Sequence, residues 1–213
     1  MSIRFVASCT ILGGTNGSGK STIHEQSVGL QIEGEFVNAD VLARRISPSA
    51  PESVSFRAGK LVIKRLDELI AARQSFVHET TLSSRQSLQV MRKARAAAYH
   101  VGLIFVVLHN VELNVFRVGE RVKMGGHSIP EKDIRRRYGR ALANLPEAIK
   151  FAHQTAIYDN SAVSHVRLVE ISDGRIVFND LDESNPTHCE IAEAVGGGLD
   201  ITPHTVFRAA RPT

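Results

Sequence analysis

Apolar runs broken by glycine alternate with amphipathic stretches along the first 180 positions of the chain. Residues 5–12 form a β-branched, apolar run that stops at Gly13-Gly14, and residues 20–29 follow as a predicted helix. Residues 35–38 read as a second short strand ending near Asp40, with a short helix over 41–46. Ser47-Pro48 and Pro51 punctuate the chain before a long helix over 52–73, in which Leu61, Leu66, Leu69 and Ile70 recur at helical spacing. Residues 75–78 make a strand closing on Glu79, 84–99 a basic amphipathic helix, and 101–108 the strongest strand signal in the chain. Val111, Val115, Val118 and Val122 line one face of the next helix, which breaks at Gly125-Gly126. Another helix starts near Pro130, a residue suited to a first turn. It packs through Ile134, Tyr138, Leu142, Leu145 and Ile149 as far as residue 151, with Pro146 expected to kink or split it.

The C-terminal part reads differently. Residues 166–171 and 176–178 form a hairpin around Asp173-Gly174. Beyond Asp180, Gly196-Gly197-Gly198 and a polar tail give no regular pattern. Strands alternating with helices predict an α/β fold, a three-layer α/β/α sandwich with a mainly parallel sheet and a small C-terminal β-hairpin. At 213 residues, one domain over 1–180 and an extension over 181–213, left without assigned structure, account for the chain.

Composition narrows the class. Hydrophobic residues at 43% and charged residues at 23% exclude wholesale disorder. No apolar run approaches the roughly 20 residues of a membrane span, so no membrane partner is expected. The early apolar stretch lacks a small-residue cleavage site and reads as a buried strand, not a signal peptide. Cys9 and Cys189 lie far apart and lack metal-ligand spacing, as expected of reduced thiols in a cytoplasmic protein.

Gly14-Thr15-Asn16-Gly17-Ser18-Gly19-Lys20-Ser21 matches the phosphate-loop pattern of Gly, four residues, then Gly-Lys-Ser/Thr, placed between a strand and a helix. The glycines let successive amides converge on phosphate oxygens, and the helix that follows offers its N-terminal amides, Thr22 included, to the same anion. Lys20 would reach the β/γ-phosphates, and the Ser21 hydroxyl would hold Mg²⁺. The pattern therefore places the sandwich among the phosphate-loop NTPase and kinase folds.

Two acidic strand ends accompany it. Asp40 could accept a proton from a substrate hydroxyl, help hold Mg²⁺ through water, or simply cap the helix beginning at Val41. Glu79, with Thr80 and Thr81, could grip a polar substrate or supply the acidic partner of the phosphate site. The plainer alternative is a surface turn in which Thr81 caps the next helix. Eight positive residues fall in 117–140, among them Arg117, Arg121, Arg135, Arg136, Arg137 and Arg140. Three acidic residues in the same span leave it at +5. Because the whole chain carries +4, everything else sums to −1. The basic balance thus belongs to one segment hinged at 125–130, which reads as a lid over a triphosphate whose arginines would neutralise charge during transfer. A general nucleic-acid-binding surface does not fit that distribution. The histidines, His78 among them, show no ligand spacing and read as surface or packing residues.

Taken in order, these residues resemble the zeta toxin family of phosphate-loop kinases, in particular its compact stand-alone bacterial members. The matches are Gly-Ser-Gly-Lys-Ser at 17–21, Asn-Ala-Asp at 38–40 and Phe-Val-His-Glu-Thr-Thr-Leu at 76–82. Gly-Gly-His within 121–130, Arg-Arg-Arg-Tyr at 135–138 and Asn-Leu-Pro at 144–146 complete the set. The resemblance covers about residues 5–170. It implies an ATP- and Mg²⁺-dependent kinase acting on a small-molecule hydroxyl, UDP-N-acetylglucosamine or a related nucleotide sugar, with an antitoxin protein as candidate partner. On that basis Lys20, Asp40, Arg121, Arg136 and Arg137 are the catalytic candidates, with Asp40 as base. Gly14, Thr15, Asn16, Gly17, Ser18, Gly19, Lys20, Ser21 and Thr22 would hold the nucleotide; Asp40, Glu79 and Thr81 would meet the acceptor. Arg121 is similar to the first lid arginine of the family, with Arg117 as the alternative. His127 occupies the place of the second, which passes that role to Arg136 or Arg137. A different metabolite or nucleoside kinase, and a non-catalytic ATP-gated binding module, remain the alternatives.

Overall fold

A computed structural model describes residues 6–26, 34–126 and 128–209 of the chain. Seven strands form one sheet: β1 (Ser8–Gly14), β2 (Glu35–Asn38), β3 (Phe76–Thr80), β4 (His100–Val107), β5 (Gln154–Asp159), β6 (Val166–Ser172) and β7 (Arg175–Asn179). Their spatial order is β2-β3-β1-β4-β5-β6-β7. The first five run parallel, and β6 and β7 close the edge antiparallel. The helices are α1 (Lys20–Gln26), α2 (Ala39–Ile46), α3 (Ser55–Ala71), α4 (Arg85–Ala96), α5 (Val111–Lys123), α6 (Glu131–Phe151), α7 (Pro186–Leu199) and α8 (Pro203–Arg208). Among the described residues no helix is long and apolar enough to cross a membrane.

A strand covered on both faces needs apolar residues at every position, and β4 shows it. Leu103, Phe105 and Val107 join the large core under α3, α4, α6 and α7. Ile104 and Val106 face the smaller cluster with Leu12, Val77 and Ile23 of α1. Thus the helices that follow β1 and β3 lie on opposite faces of the sheet, although the two strands are neighbours. The crevice that opens beyond their C-terminal ends is where open α/β sheets bind ligands. The phosphate loop, Glu79 and Asp40 all emerge there.

Several expectations shift. The start of the first strand at Phe5 and the end of the first helix at 27–29 lie outside the described residues. The helix predicted over 52–73 is a 3-10 turn, Pro51–Val54, followed by α3. Its buried residues are Ala58, Val62, Leu66 and Leu69, while Leu61 is exposed, because that 4-4-3 spacing sets the helix phase. On α5 the buried pair is Asn114 and Val118; Val122 is exposed. Pro146 does not split α6, which runs on for 21 residues. The Asp-Gly hairpin forms as expected, with φ of 46° at Asp173 and 75° at Gly174, the left-handed pair a two-residue turn requires.

The largest correction concerns the tail. Pro186–Leu199 and Pro203–Arg208 form α7 and α8, and Ile191, Ala192, Val195, Val206 and Phe207 belong to the main core. Gly196-Gly197-Gly198, which gave no regular pattern, lies inside α7, with Gly197 and Gly198 facing α6 and Gly196 facing the turn at 201–203. A side chain at position 198 would sit 2.7 Å from Ile149 Cβ, so Gly198 permits the close approach of the two helices.

Candidate active site

The phosphate loop is shaped by contacts that only missing side chains allow. At Gly19 (φ 87°) a Cβ would lie 2.1 Å from Asn160 Nδ2. Three distant side chains hold the loop in place. Asn114 Nδ2 donates to Thr15 Oγ1 (2.6 Å) and to the Asn16 carbonyl (2.7 Å). Asn160 Nδ2 donates to the Ser18 carbonyl (2.9 Å), and the Arg137 guanidinium to Asn16 Oδ1 (3.0 Å). Ser18 Oγ is buried with no partner among the described residues, an unmet polar atom inside the cradle.

Lys20 opens α1 with its side chain buried, Nζ donating to the Thr15 carbonyl at 2.9 Å. Burial lowers its pKa; the carboxylates of Glu79 and Asp40 oppose that, and Arg121 and Arg137 add to it. Four site residues from three separate segments therefore act on one ammonium group. Beside it Ser21 Oγ donates to both Glu79 carboxylate oxygens, at 3.3 and 3.2 Å. A hydroxyl and a carboxylate so placed are the hard oxygen donors a Mg²⁺ ion takes.

The capping alternatives are resolved against Asp40 and Thr81. Asn38 is the N-cap of α2, its Oδ1 accepting from the amides of Asp40 (2.7 Å) and Val41 (3.1 Å), so the Asp40 carboxylate has no capping role. Thr81 Oγ1 pairs with Ser83 Oγ, and Ser84, not Thr81, precedes α4. Glu79 is not in a surface turn; it is the penultimate residue of β3 and half-buried.

A cavity of about 790 Å³ opens above these groups. It brings together seven of the predicted catalytic and binding residues: Asn16, Lys20, Asp40, Glu79, Thr81, Arg136 and Arg137. Arg121 stands apart, lining a neighbouring space of about 530 Å³ that shares Asp40 with the first. The arginines are sorted by their partners. Arg137, flanking the apolar stripe of α6, turns to the loop. Arg136, opposite that stripe, pairs with Asp133 (2.9 Å) yet still lines the larger cavity. Arg135 is bound to Glu112 and Glu131, and Arg117 donates to the Ser161 carbonyl at 3.3 Å. His127 lies outside the described residues. Gly125-Gly126 is a built helix end, not a loose joint. The Gly126 amide donates to the Arg121 carbonyl and the Gly125 amide to that of Val122, with Gly125 at φ 82°.

Sequence reasoning missed Asn114, Asn160 as a brace of the loop, and Arg85, and placed Arg140 only among the lid arginines. Arg85 and Arg140 line the larger cavity from α4 and α6. No local motif marks Asn114; a polar residue on the inner face of an otherwise valine-rich helix was the available signal.

Comparisons with known proteins agree with this geometry. A family model described as Zeta toxin matches residues 8–167. An uncharacterized protein of Haemophilus influenzae is 35% identical over 126 residues, covering 59% of this chain and 88% of that one. In fold the chain is similar to the crystal structure of AvrRxo1-ORF1:AvrRxo1-ORF2 with sulphate ions, with a TM-score of 0.68 and 15% identity. That match covers 81% of this chain and 61% of the other, so the chain spans under two thirds of that relative. It is also similar to a chain of the PezAT chromosomal toxin-antitoxin system of Streptococcus pneumoniae, with a TM-score of 0.54, 16% identity, and 78% and 73% of the two chains covered. With three quarters of its length inside one family model and a phosphate-loop kinase fold around the matching residues, the chain belongs to the zeta toxin family.

Proposed function

We propose that this protein is an ATP- and Mg²⁺-dependent kinase that transfers the γ-phosphate to a hydroxyl of a small molecule held in the 790 Å³ cavity. The observation that carries this reading is the placing of Asp40 and Lys20 on one cavity wall system, at the C-terminal ends of β2 and β1. The loop amides and Lys20 hold the phosphates. Ser21 and Glu79 are the residues that would hold Mg²⁺, which when bound neutralises phosphate charge and aligns the reacting oxygens. Asp40 takes the proton of the acceptor hydroxyl as its oxygen bonds to the γ-phosphorus and the bond to the bridging oxygen of the leaving diphosphate breaks. Arg136 and Arg137 lie where they can offset charge on the transferred group, and Thr81 orients the acceptor.

A nucleotide sugar such as UDP-N-acetylglucosamine suits the cavity, because Arg85, Arg136 and Arg140 offer guanidinium groups to a phosphate-bearing acceptor. A structural relative determined with ATP supports ATP as donor, and the PezAT relationship supports an antitoxin protein as partner. Both cysteines are free, in keeping with a cytoplasmic location.

The test is Asp40→Asn, measured for phosphate transfer to UDP-N-acetylglucosamine and, in parallel, to a metabolite extract with mass detection of product. Transfer should fall by at least about a hundredfold, with ATP affinity largely kept. Full transfer by the variant would remove Asp40 from the base role. ATP turnover with no dependence on any acceptor would favour the gated binding module.

A further inference from the structure

Between β3 and α4 the chain makes a strained turn at the edge of the larger cavity. Leu82 has φ 56°, in the left-handed region where an L side chain crowds its own backbone. Four other non-glycine residues among the described ones have positive φ, each at an ordinary place for it. Arg73, Ala98 and Asp200 stand at the ends of α3, α4 and α7, and Asp173 forms the hairpin turn. Leu82 does neither, and strain of this kind persists only where the surroundings hold it. Its side chain is fully buried in the main core, close to β1, where a Cβ added at Gly13 would lie 3.5 Å from Leu82 Cβ. On either side of it Thr81 and Ser83 line the cavity, their hydroxyls paired at 2.8 Å. Two ties on this turn are local: the Leu82 amide donates to Thr80 Oγ1 at 3.2 Å, and Thr80 Oγ1 pairs with Ser87 Oγ at 2.9 Å. The third comes from 62 positions away, where Asn144 Nδ2 donates to the Leu82 carbonyl at 2.8 Å. Asn144 lies on the face of α6 that lines the cavity, at helical spacing from Arg136, Arg137 and Arg140.

We infer that Asn144 is a positioning residue of the acceptor site. By holding the Leu82 carbonyl it fixes the β3–α4 turn against α6, so that Thr81 and Arg85 on one wall keep their place relative to Arg136 and Arg140 on the other. The inference rests on reading the cavity as the acceptor site. Asn144 acts through the turn and needs no contact with the reacting groups. The phosphate loop is held by other side chains, those of Asn114, Asn160 and Arg137. Losing the Asn144 tie therefore loosens the acceptor wall and leaves the nucleotide cradle in place.

Hydrogen exchange and kinetics on the full chain decide it. In Asn144→Ala the backbone amides of 79–86 should exchange about three- to tenfold faster, the worth of one neutral hydrogen bond. Those of the phosphate loop, 14–19, should keep their wild-type rates. Kinetics with ATP, Mg²⁺ and a probe set of UDP-N-acetylglucosamine, UDP-glucose, N-acetylglucosamine and uridine supply the second readout. KM for the accepted probe should rise by a similar factor, with kcat and the KM for ATP little changed. Asn144→Asp keeps the shape but sets a carboxylate against the Leu82 carbonyl, and should raise that KM further. Asn144→Gln, which keeps an amide donor, should recover most of the loss. Unchanged exchange over 79–86 in Asn144→Ala, or an acceptor KM at the wild-type value in all three variants, overturns the inference while leaving the kinase reading intact. A KM for ATP that rises in step with the acceptor's, the mark of general loosening, does the same. Failure of the wild-type protein to phosphorylate any probe would instead strike the acceptor-site reading, and the positioning role with it.

Discussion

Replacing Asn114 with leucine tests how the phosphate loop is held from behind. The wild-type side chain is fully buried, its Nδ2 giving both hydrogens to loop acceptors at 2.6 and 2.7 Å while Oδ1 has no partner among the described residues. Leucine keeps roughly the same volume and removes all three polar contributions. Thr15 Oγ1 and the Asn16 carbonyl then lose a donor in a dry site, at about 1–3 kcal/mol each. Deleting the orphan Oδ1 returns an amount of the same order, leaving a net loss of about 1–3 kcal/mol. That loss falls on the loop, because the Asn114 side chain bonds nothing else among the described residues. With about 1.4 kcal/mol per tenfold, ATP affinity should drop about five- to hundredfold. Asn114→Asp should be worse, since it sets a carboxylate against the Asn16 carbonyl. Titration with a fluorescent ATP analogue, beside urea unfolding of the same samples, separates loop from core. Wild-type ATP affinity in both variants, with only the unfolding midpoint lowered, would refute the bracing role.

Other consequences can be checked by simple means. Gly19→Ala places a methyl 2.1 Å from Asn160 Nδ2 at a φ of 87°, so equilibrium titration should find ATP binding lost. Adding Asn160→Gly clears the space but keeps a left-handed alanine, costing about 1–2 kcal/mol, and should restore binding only in part. Acid stability follows from His78. The unfolded ring takes a proton near pH 6.5 and the folded one only near pH 4, so the contribution is full above pH 6.5 and is lost as pH falls to 4. The span corresponds to about 3 kcal/mol. Urea midpoints of wild type and His78→Asn, measured across that window, should converge as pH falls; parallel curves would contradict a buried neutral ring.

Much of this protein could be read locally. The phosphate loop is a backbone device, and backbone devices are written in consecutive residues: glycines where φ is positive, then the lysine and hydroxyl that open a helix. The carboxylates of Asp40 and Glu79 were legible for a related reason, since they terminate strands, and in a parallel sheet those ends share an edge. Even the charge imbalance of 117–140 pointed to the right face of the molecule, because two consecutive helices hold it there.

Sequence failed wherever the answer lay in a partner. Arg135, Arg136 and Arg137 are adjacent and chemically identical, yet one meets Glu112, one Asp133 and one the phosphate loop. A turn of 100° per residue and the position of α5 decide which. Gly196-Gly197-Gly198 gave no regular pattern because glycine is a poor helix former; the close approach of α6 is what makes the missing side chains of Gly197 and Gly198 useful. The sequence by itself determined the nucleotide-binding loop, the parallel α/β scaffold and the strand-end carboxylates, all properties of local backbone and periodicity. Only the tertiary structure decided that Asn114 braces the loop, that Arg121 stands in a separate space, and that Arg137, of three adjacent arginines, meets the loop. Those roles depend on distances between segments, which no single stretch of chain encodes.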